Sequence, residues 1–577
     1  MIQPLIVALI SFCLYIIAYH TYGRFIARKL FFINPKNPVP AHSKFDGKDF
    51  VPSSKQVMFG HHFTSIAGTG PIVGPAIGII WGWVPALIWV LVGSIFMGAV
   101  HDFGALVVSL RHQGRSLADV TGDILDKRAR HCFFIIVFLA LWIVIAIFGL
   151  VIALIFAQFP SSVLAVWLEI PIAIMFGKWL AKSHKNVLFK TVVCVGLLYV
   201  CVYLGVLFPI TLPSFSFLPA TGLWTIILLI YAFIASILPV GLLLQPRDYL
   251  NAWQLYVALA IIVCGMVVAG LTGQLEFVAP AVNMSVESAP SMWPFLFITI
   301  ACGAISGFHC LVCSGTSSKQ LDSEKDAQYV GYGSMLVEGA LAVIVLIAVG
   351  AGIGMAYEHN GQLLTGVAAF NAHYESWQSS AGLGSKLTAV VVGCANMMST
   401  IGVSTSTAIA IVGVFIASFA GTTLDSATRI QRYIISEFAL SMNWKKVANT
   451  YSATTIAVLT GLLLAFSSGL NGKGALLLWP IFGAVNQLLG GLALIVISVY
   501  VGKRSKLAIL TVVPCICVLS MTIWASGLNQ ITFMSQKNYM LSCINSIILV
   551  LAFVITFEAL KLVPFRQWLR KKEGLKS

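Results

Sequence analysis

The chain has 577 residues, of which 59% are hydrophobic and only 10% are charged. A soluble domain carries roughly 25% charged residues, so a water-soluble fold of this length could not cover its surface. The composition therefore excludes an ordinary soluble protein and predicts a chain that lies largely in lipid. No polar stretch is long enough to fold separately, and we expect a single membrane domain over residues 1–577.

Apolar runs long enough to cross a bilayer recur along the chain. Since a helix needs about 20 apolar residues to span roughly 30 Å of hydrocarbon, the pattern predicts an all-α polytopic protein with about fifteen transmembrane helices. Residues 382–400 fit either a re-entrant or interfacial helix or part of the eleventh span. The predicted spans are 4–20, 58–80, 83–109, 132–157, 161–180, 190–211, 222–244, 251–272, 293–315, 330–355, 398–423, 447–466, 475–501, 507–525 and 540–562.

The net charge of +15 could indicate a nucleic-acid partner, but the positions of the basic residues indicate a topology instead. With the amino terminus outside, the loops predicted to be cytoplasmic contain 32 of the 35 Lys and Arg residues. Only Lys386, Lys473 and Lys537 remain outside. Because cytoplasmic loops are enriched in Lys and Arg, we expect an outside amino terminus, a cytoplasmic carboxyl terminus and no nucleic-acid partner. A basic cluster directly after the first span favours a retained span over a cleaved signal peptide.

Helix-breaking residues are concentrated in the second span. Gly68, Gly70 and Pro71 together should interrupt the helix in mid-membrane, which is tolerated only where the backbone lines a cavity or is buried in protein. The freed N–H and C=O groups could then bind a ligand or ion, although a kinked packing helix is the alternative. Polar neighbours favour a substrate or ion site, and they are His61, His62, Ser65 and Thr69.

Two further segments combine small and polar residues. In the ninth span these residues are Ser306, Gly307, His309, Ser314 and Thr316. The other segment runs from Leu238 to Tyr249, where Arg247 and Asp248 could form a gate or simply a helix cap at a cytoplasmic turn.

Paired interrupted spans are typical of secondary transporters built from inverted repeats. The second and ninth predicted spans run in opposite directions, as such a repeat requires, and the seventh span competes with the ninth as the partner. Ionisable groups inside spans are candidates for function; here they include Asp102, Glu169 and Glu338. Histidine suits proton coupling because its ordinary pKa lies near neutral pH.

At this point the residues resemble a known family, the carbon-starvation proteins. The similar motifs stand in the family's order from about residue 45 to 490, whereas about 507–562 would be additional carboxyl-terminal helices. The motifs are FDGKDFVP (45–52), GHHF (60–63), IAGTGP (66–71), GAVHDF (98–103), PRDYL (246–250), SGFH (306–309), SGT (314–316), GYGSML (331–336) with Glu338, TLDSATR (423–429) and LWPIFG (478–483).

The resemblance implies an inner-membrane importer of peptides or pyruvate that serves when preferred carbon is scarce. It also implies kinship with amino-acid transporters built on five-plus-five inverted repeats, and proton coupling. On this basis the expected coupling or gating residues are Asp102, Arg247, Asp248, Glu338 and Asp425.

Other functions are weighed against this one. An uncoupled channel or a sodium-coupled symporter would show the same spans, and hydroxyl and carbonyl oxygens at the breaks could serve as a site for a hard cation. An enzyme would need a nucleotide or hydrolase motif, and we find none. The twelve scattered cysteines form no pattern of a disulfide framework or zinc site. We therefore expect no catalysis, no cofactor and no metal.

Overall fold

The computed structural model describes residues 3–182, 186–215 and 217–562. Most of the predicted basic carboxyl-terminal segment, residues 563–577, lies outside the described residues. Strands β1 (Tyr357–His359) and β2 (Gln362–Leu364) form one antiparallel hairpin, and the rest of the regular structure in these ranges is helical. The predicted all-α membrane fold is thereby confirmed.

The described residues form 23 α-helices. Short π or 3-10 turns extend α1 to Leu30, join α5 to α6, and lead into α15, α21 and α22. The helices are α1 Gln3–Ala18, α2 Pro40–Ser43, α3 Lys55–Ala67, α4 Gly70–Gly78, α5 Trp83–Val92, α6 Ala99–Arg111, α7 Leu117–Ile124, α8 Lys127–Gln158, α9 Ser161–Lys182, α10 Val187–Leu207, α11 Ala220–Ile237, α12 Leu244–Leu271, α13 Met292–Thr299, α14 Gly307–Gly315, α15 Gly333–Gly350, α16 Gly366–His373, α17 Trp377–Ser380, α18 Leu383–Ser399, α19 Thr405–Ser441, α20 Thr450–Ala465, α21 Trp479–Gly502, α22 Ile509–Ser535 and α23 Tyr539–Leu562.

The positions of the predicted spans agree with these helices, but the count of fifteen is not confirmed. In the described part of the chain, 12 helices are long and apolar enough to cross a membrane, or 13 if the bent pair α3–α4 is one span. The ninth span is divided into α13 and α14, of 8 and 9 residues. Helix α20 has 16 residues, fewer than the roughly 20 that a complete span needs.

Helix α19 is longer than its hydropathy predicts. The sequence ends this span at residue 423, whereas the helix has 37 residues and reaches Ser441. Asp425, Arg429 and Arg432 lie inside the continuation and are only 1–2% exposed, so the prediction of a cytoplasmic loop from residue 424 is wrong. These charges are paired inside the protein, and hydropathy cannot distinguish a paired, buried charge from a solvated one.

Both predicted breaks are present in the fold. Helices α3 and α4 are bent by 42° at the break of residues 68–69, where Gly68 has a φ of +46° and Pro71 lies in the first turn of α4. The ninth span is interrupted over residues 300–306, between α13 and α14. The seventh span is the continuous helix α11. The ninth span therefore matches the second in being broken, and the two run in opposite directions through the bundle.

The helix connections lie at two faces. One, here called the basic face, is formed by residues 31–54, 112–126, 238–243, 316–323 and 442–449. Its connections contact one another, as when the Val240 N–H donates to the Lys48 carbonyl at 3.0 Å. The other, here called the opposite face, is formed by residues 272–291, 351–382, 400–404, 466–472 and 536–538. There the Trp81 indole donates to the Pro290 carbonyl at 3.2 Å.

Helix α18 settles the ambiguous segment 382–400. It is separate from α19, and residues 400–404 turn the chain between them. Its carboxyl end packs against α12, where the Thr400 hydroxyl donates to the Gly265 carbonyl at 3.0 Å. The segment is therefore a helix of its own, beginning and ending at the opposite face, and not part of the eleventh span.

Candidate functional site

A cavity of about 690 Å³ lies where the two broken spans meet. It extends from both breaks to connections of the opposite face, and its size suits a small organic solute. Gly68, Gly70 and Cys302 form its wall at the breaks. Its polar lining residues are Thr69, Ser288, Thr299, Ser306, Gln378, Lys386, Thr423, Asn486, Asn529, Thr532, Gln536 and Asn538.

The glycines at the first break allow the neighbouring chain segments to approach closely. A Cβ atom on Gly70 would overlap Cys302 of the second break, and one on Gly68 would stand 2.5 Å from the Thr423 hydroxyl of α19. A side chain at Gly70 would force the two broken spans apart, and one at Gly68 would push the first break away from α19. The predicted break of the second span is thus confirmed, and Gly68 and Gly70 line a cavity there. That this is the substrate cavity stays a prediction.

The amino-terminal ends of two half-helices lie at the breaks. Helix α4 begins at Gly70 and helix α14 at Gly307, directly after Ser306. Asn486 on α21 holds the start of α14: its side-chain oxygen accepts from the Phe308 N–H at 3.0 Å, and its amide donates to the Ser306 hydroxyl at 3.0 Å. Because helix amino termini carry partial positive charge, this arrangement favours negative charge in the cavity.

A fully buried group of titratable side chains lies directly behind Cys302. We call His101, Asp102, His309 and Glu338 the acid–histidine cluster. Asp102 contacts His309 Nδ1 at 2.9 Å and His101 Nδ1 at 2.7 Å. On its other side, His309 Nε2 lies 3.4 Å from a Glu338 oxygen and 3.8 Å from the Cys302 sulfur. An imidazole between two carboxylates can accept and release a proton while the carboxylates compensate its charge.

The same place has the spacing of a metal site. The Cys302 sulfur, His309 Nε2 and a Glu338 oxygen all lie within 4.8 Å of one another. Three donors of these types could hold a transition metal. The approach of His309 to Glu338 is equally that of an ion pair, and both Glu338 oxygens are buried without a hydrogen-bond partner.

A second buried group surrounds Arg247, and we call Glu169, Tyr231, Arg247 and Asp425 the arginine cluster. The guanidinium donates to Glu169 at 2.7 Å, to Asp425 at 2.6 Å and to the Tyr231 hydroxyl at 2.6 Å. Arg247 and Asp425, both expected among the coupling or gating residues, thus meet, although the sequence suggested Asp248 as the neighbour of Arg247 in a gate. Arg247 lies within α12 and is 2% exposed, so it does not occupy the predicted polar turn. The cluster joins α9, α11, α12 and α19.

The remaining predicted residues lie away from the cavity lining. His61 Nδ1 lies 2.5 Å from Asp248, and His62 Nδ1 lies 2.7 Å from Ser317. Ser65 meets Ser426 at 3.0 Å. Hydroxyls near the end of α14 bond to the preceding turn of that helix, where Ser314 donates to the Cys310 carbonyl and Thr316 to the Val312 carbonyl. The structure therefore separates the predicted set into four groups: the cavity lining, the acid–histidine cluster, the arginine cluster and these packed positions.

Charged residues close the bundle at the basic face. Asp49 accepts from Arg429 at 2.8 Å and from Arg432 at 3.1 Å, and we call these three residues the basic-face clamp. Arg429 also donates to the Leu238 carbonyl at 2.6 Å, after the end of α11. Burial would raise the pKa of Asp49, but the two guanidinium groups outweigh it and lower this pKa to about 2. The carboxylate is therefore charged at any physiological pH.

Comparisons with known proteins agree with this architecture. A model of the carbon starvation protein CstA family matches residues 3–525. The chain belongs to this family. The peptide transporter CstA of Campylobacter jejuni is 32% identical, over 93% of this chain and 81% of that protein. The peptide transporter CstA of Bacillus subtilis is also 32% identical, over 96% of each chain.

Another relative is named for a different substrate. The pyruvate/proton symporter BtsT of Escherichia coli is 31% identical, over 91% of this chain and 82% of that protein. A crystal structure of a manganese transporter mutant from Eremococcus coleocola aligns with a TM-score of 0.51 at 10% identity, over 90% of this chain and 99% of that one. This likeness shows the fold alone. The family names are those of transporters, which confirms the expected family and its transport class.

The family motif at residues 45–52 has a structural reason in this CstA family member. One oxygen of Asp46 accepts from the backbone N–H groups of Lys48, Asp49 and Phe50, at 2.8 to 2.9 Å. Gly47 adopts a φ of +68° inside this turn. The turn places Asp49 against Arg429 and Arg432, so the motif shapes the basic-face clamp.

Sequence reasoning missed three residues of the site. Cys302, one of the scattered cysteines with no pattern of a site, stands between the cavity and His309. Asn486, an amide inside an apolar span, binds the start of α14 and also lines the cavity. For Lys386 the sequence predicts only a position outside the membrane. It lies four residues after the Gly382 turn, in a helix that hydropathy could not place, and no sequence signal directs it to the cavity.

Proposed function

We propose that the chain is a secondary importer of small carboxylates or peptides, namely pyruvate or di- and tripeptides, driven by a proton gradient. It would act in a bacterial inner membrane during carbon starvation, with the amino terminus outside and the carboxyl terminus in the cytoplasm. In this orientation the basic face is cytoplasmic. The cavity then opens to the outside, from which an imported solute arrives.

The observation that carries the proposal is the position of the acid–histidine cluster directly behind the cavity. Cys302 is shared by the two: it lines the cavity, and its sulfur lies 3.8 Å from His309 Nε2. One side chain, that of Cys302, therefore lies between a solute in the cavity and the His309 imidazole. A proton on His309 would strengthen the contacts of α14 with Asp102 and Glu338, whereas a proton on either carboxylate would weaken them. Either change would couple the proton to movement of the broken span.

The relatives support the substrate and the coupling ion. The similar proteins are named peptide transporter and pyruvate/proton symporter. Both kinds of substrate carry a carboxylate, and the half-helix termini at the breaks favour negative charge. The volume of about 690 Å³ accommodates either.

Uptake into proteoliposomes tests the proposal. Purified protein is reconstituted, and accumulation of labelled pyruvate and labelled dialanine is measured under an imposed ΔpH, an imposed ΔNa⁺ or no gradient. Accumulation above equilibrium under ΔpH alone is the expected result. Accumulation that follows ΔNa⁺ would assign a sodium symporter, and equilibration without accumulation under either gradient would assign an uncoupled channel. Either result would overturn the proposed proton coupling.

A further inference from the structure

The cavity has a one-sided charge. Lys386 is its sole charged lining residue in the described part of the chain, and no Asp or Glu lines it. The acidic residues near its mouth, Glu287 and Glu375, are exposed on the surface instead. A solute in this cavity therefore meets one positive group and no negative one.

Lys386 is buried without an anionic partner. It is 5% exposed, and its ammonium stands 5.2 Å from the centre of the Trp479 ring. Within the described residues this ammonium forms no ion pair and no hydrogen bond. Burial lowers the pKa of Lys386 to about 8, which leaves the group mostly protonated at neutral pH. Because an unpaired buried charge is costly, an anion arriving in the cavity would gain a contact that the protein itself does not supply.

The deep end of the cavity also carries positive charge, from helix amino termini. Gly70 and Ser306, at the starts of α4 and α14, both line it. These positive helix ends and Lys386 come from three separate parts of the chain. A zwitterion would place its carboxylate well but would find no carboxylate for its ammonium group.

We propose that Lys386 is the docking residue for the carboxylate of the substrate at the outer end of the cavity, and that the cavity selects small organic anions over zwitterions of similar size. This inference rests on the proposed function and deepens it. A monocarboxylate such as pyruvate brings one negative charge for Lys386 and no cationic group, whereas a free dipeptide also brings an ammonium for which the cavity lining offers no carboxylate. An N-acetylated dipeptide, which is an anion, should be accepted better than the free one.

Kinetics of pyruvate uptake test the role of Lys386. The variants are Lys386→Gln, which removes the charge, and Lys386→Arg, which keeps it. Lys473→Gln and Lys537→Gln are matched controls, since both lysines are exposed at the opposite face and neither lines the cavity. Loss of a charge-assisted contact should raise KM for pyruvate roughly tenfold in Lys386→Gln with a smaller change in maximal rate. Lys386→Arg should recover most of this loss, and the controls should match the wild type.

Competition on the wild-type protein gives a second measurement that does not depend on a variant folding. Unlabelled pyruvate and N-acetyl-dialanine should inhibit labelled pyruvate uptake at lower concentration than pyruvamide or free dialanine. An unchanged KM in a well-folded Lys386→Gln protein, or equal inhibition by the charged and neutral compounds, would overturn the inference. Absence of any gradient-driven uptake by the wild type would instead reject the proposed function, so the two failures are distinguishable.

Discussion

The two ends of the bundle are closed by different kinds of contact. At the basic face, Asp49 ties the segment before α3 to Arg429 and Arg432 of α19, and Arg111 pairs with Glu324 at 2.5 Å. At the opposite face, the described residues of the cavity wall form no ion pair. Charged pairs in a partly buried place are directional and have few alternative arrangements. The basic face is therefore held by specific charged contacts, whereas the described cavity wall that leads to the opposite face has no such contacts.

The arginine cluster should show the largest effect, because it anchors the closed half. Arg247→Ala leaves Glu169 and Asp425 buried without their partner, and removing one member of a buried ion pair costs about 3–5 kcal/mol. We expect a large loss of folded protein, measured as the melting temperature and the monodisperse fraction in detergent.

A matched comparison separates this effect from the loss of any arginine. Arg115→Ala breaks pairs with Asp119 and Asp123 that are one-third exposed on the arginine side, and such pairs contribute only about 0–1 kcal/mol. Neutralising both acids, as in Arg247→Met with Glu169→Gln and Asp425→Asn, should restore much of the stability. An Arg247→Ala protein as stable as Arg115→Ala would show that the cluster does not anchor the bundle.

The acid–histidine cluster marks the boundary between the open and closed halves, and its variants should alter coupling more than folding. Glutamine at position 309 keeps hydrogen bonding to Asp102 but cannot carry the proton. His309→Gln should abolish ΔpH-driven accumulation of pyruvate, a drop of roughly 100-fold or more, while counterflow exchange is largely kept. Exchange and driven uptake are measured on the same proteoliposomes.

His62→Gln is a suitable comparison for this variant, because His62 is equally buried but contacts Ser317 instead of a carboxylate. It should remain driven by ΔpH. If His309→Gln also accumulates pyruvate normally, histidine 309 is not the proton carrier, and Asp102 or Glu338 would have to act without it.

The sequence predicts the broken spans better than it predicts the closed end. Gly68, Gly70 and Pro71 interrupt the helix through the local backbone, so a few adjacent residues in the sequence are enough to predict the break. Asp49 and Arg429 are 380 positions apart, and nothing in either neighbourhood indicates the partner. Arg429 and Arg432 even suggested a loop, because only tertiary pairing makes a helix with such charges tolerable inside the protein.

Lys386 illustrates the same limit on the site. Its helix α18 is one of several apolar segments too short to be assigned by length, and its place in the cavity depends on how α18 packs against α12 and α15. Glu169, by contrast, was already a candidate as an acid inside a span, and the fold supplies the partner, Arg247.

Opening the basic face tests the clamp itself. Asp49→Asn removes the charge-assisted hydrogen bonds to Arg429 and Arg432. A hydrogen bond to a charged group contributes about 1.5–3 kcal/mol to stability. We expect amide hydrogen exchange in the peptide covering residues 424–441 to increase roughly tenfold or more. Asp322→Asn is the control, since its pair with His42 is more than half exposed on both sides. Unchanged exchange in Asp49→Asn would show that other contacts close this face.

The pH dependence of the clamp follows from the lowered pKa of Asp49, which is about 2 against an ordinary value of 3.8. A group whose folded pKa is lowered contributes stability above its unfolded pKa, and this contribution is lost as the pH falls through the folded value. The clamp should therefore be insensitive to pH between 8 and 5 and should weaken only below about pH 4.

The opposite face should show a smaller effect at milder pH. His373, at the end of α16, accepts or donates a hydrogen bond with the Tyr357 hydroxyl at 2.9 Å and with Ser385 at 3.2 Å, and so joins the β-hairpin to α18. Burial, followed by the charge of His359, lowers the pKa of His373 from 6.5 to about 4. By the same linkage, its contribution is complete above about pH 6.5 and is lost progressively as the pH falls towards 4. One bound proton corresponds to about 1.4 kcal/mol per pH unit at most, so acidification from 6.5 to 5.5 should loosen residues 357–385 by roughly 1 kcal/mol.

Hydrogen exchange of the peptides that cover residues 357–385, corrected for the intrinsic pH dependence, measures this loosening, with the peptide 424–441 as the internal control. His373→Gln should remove the acid sensitivity, because glutamine keeps a hydrogen bond without titrating. Equal acid sensitivity in the variant would assign the effect to another group and would leave the two faces alike in their response to pH.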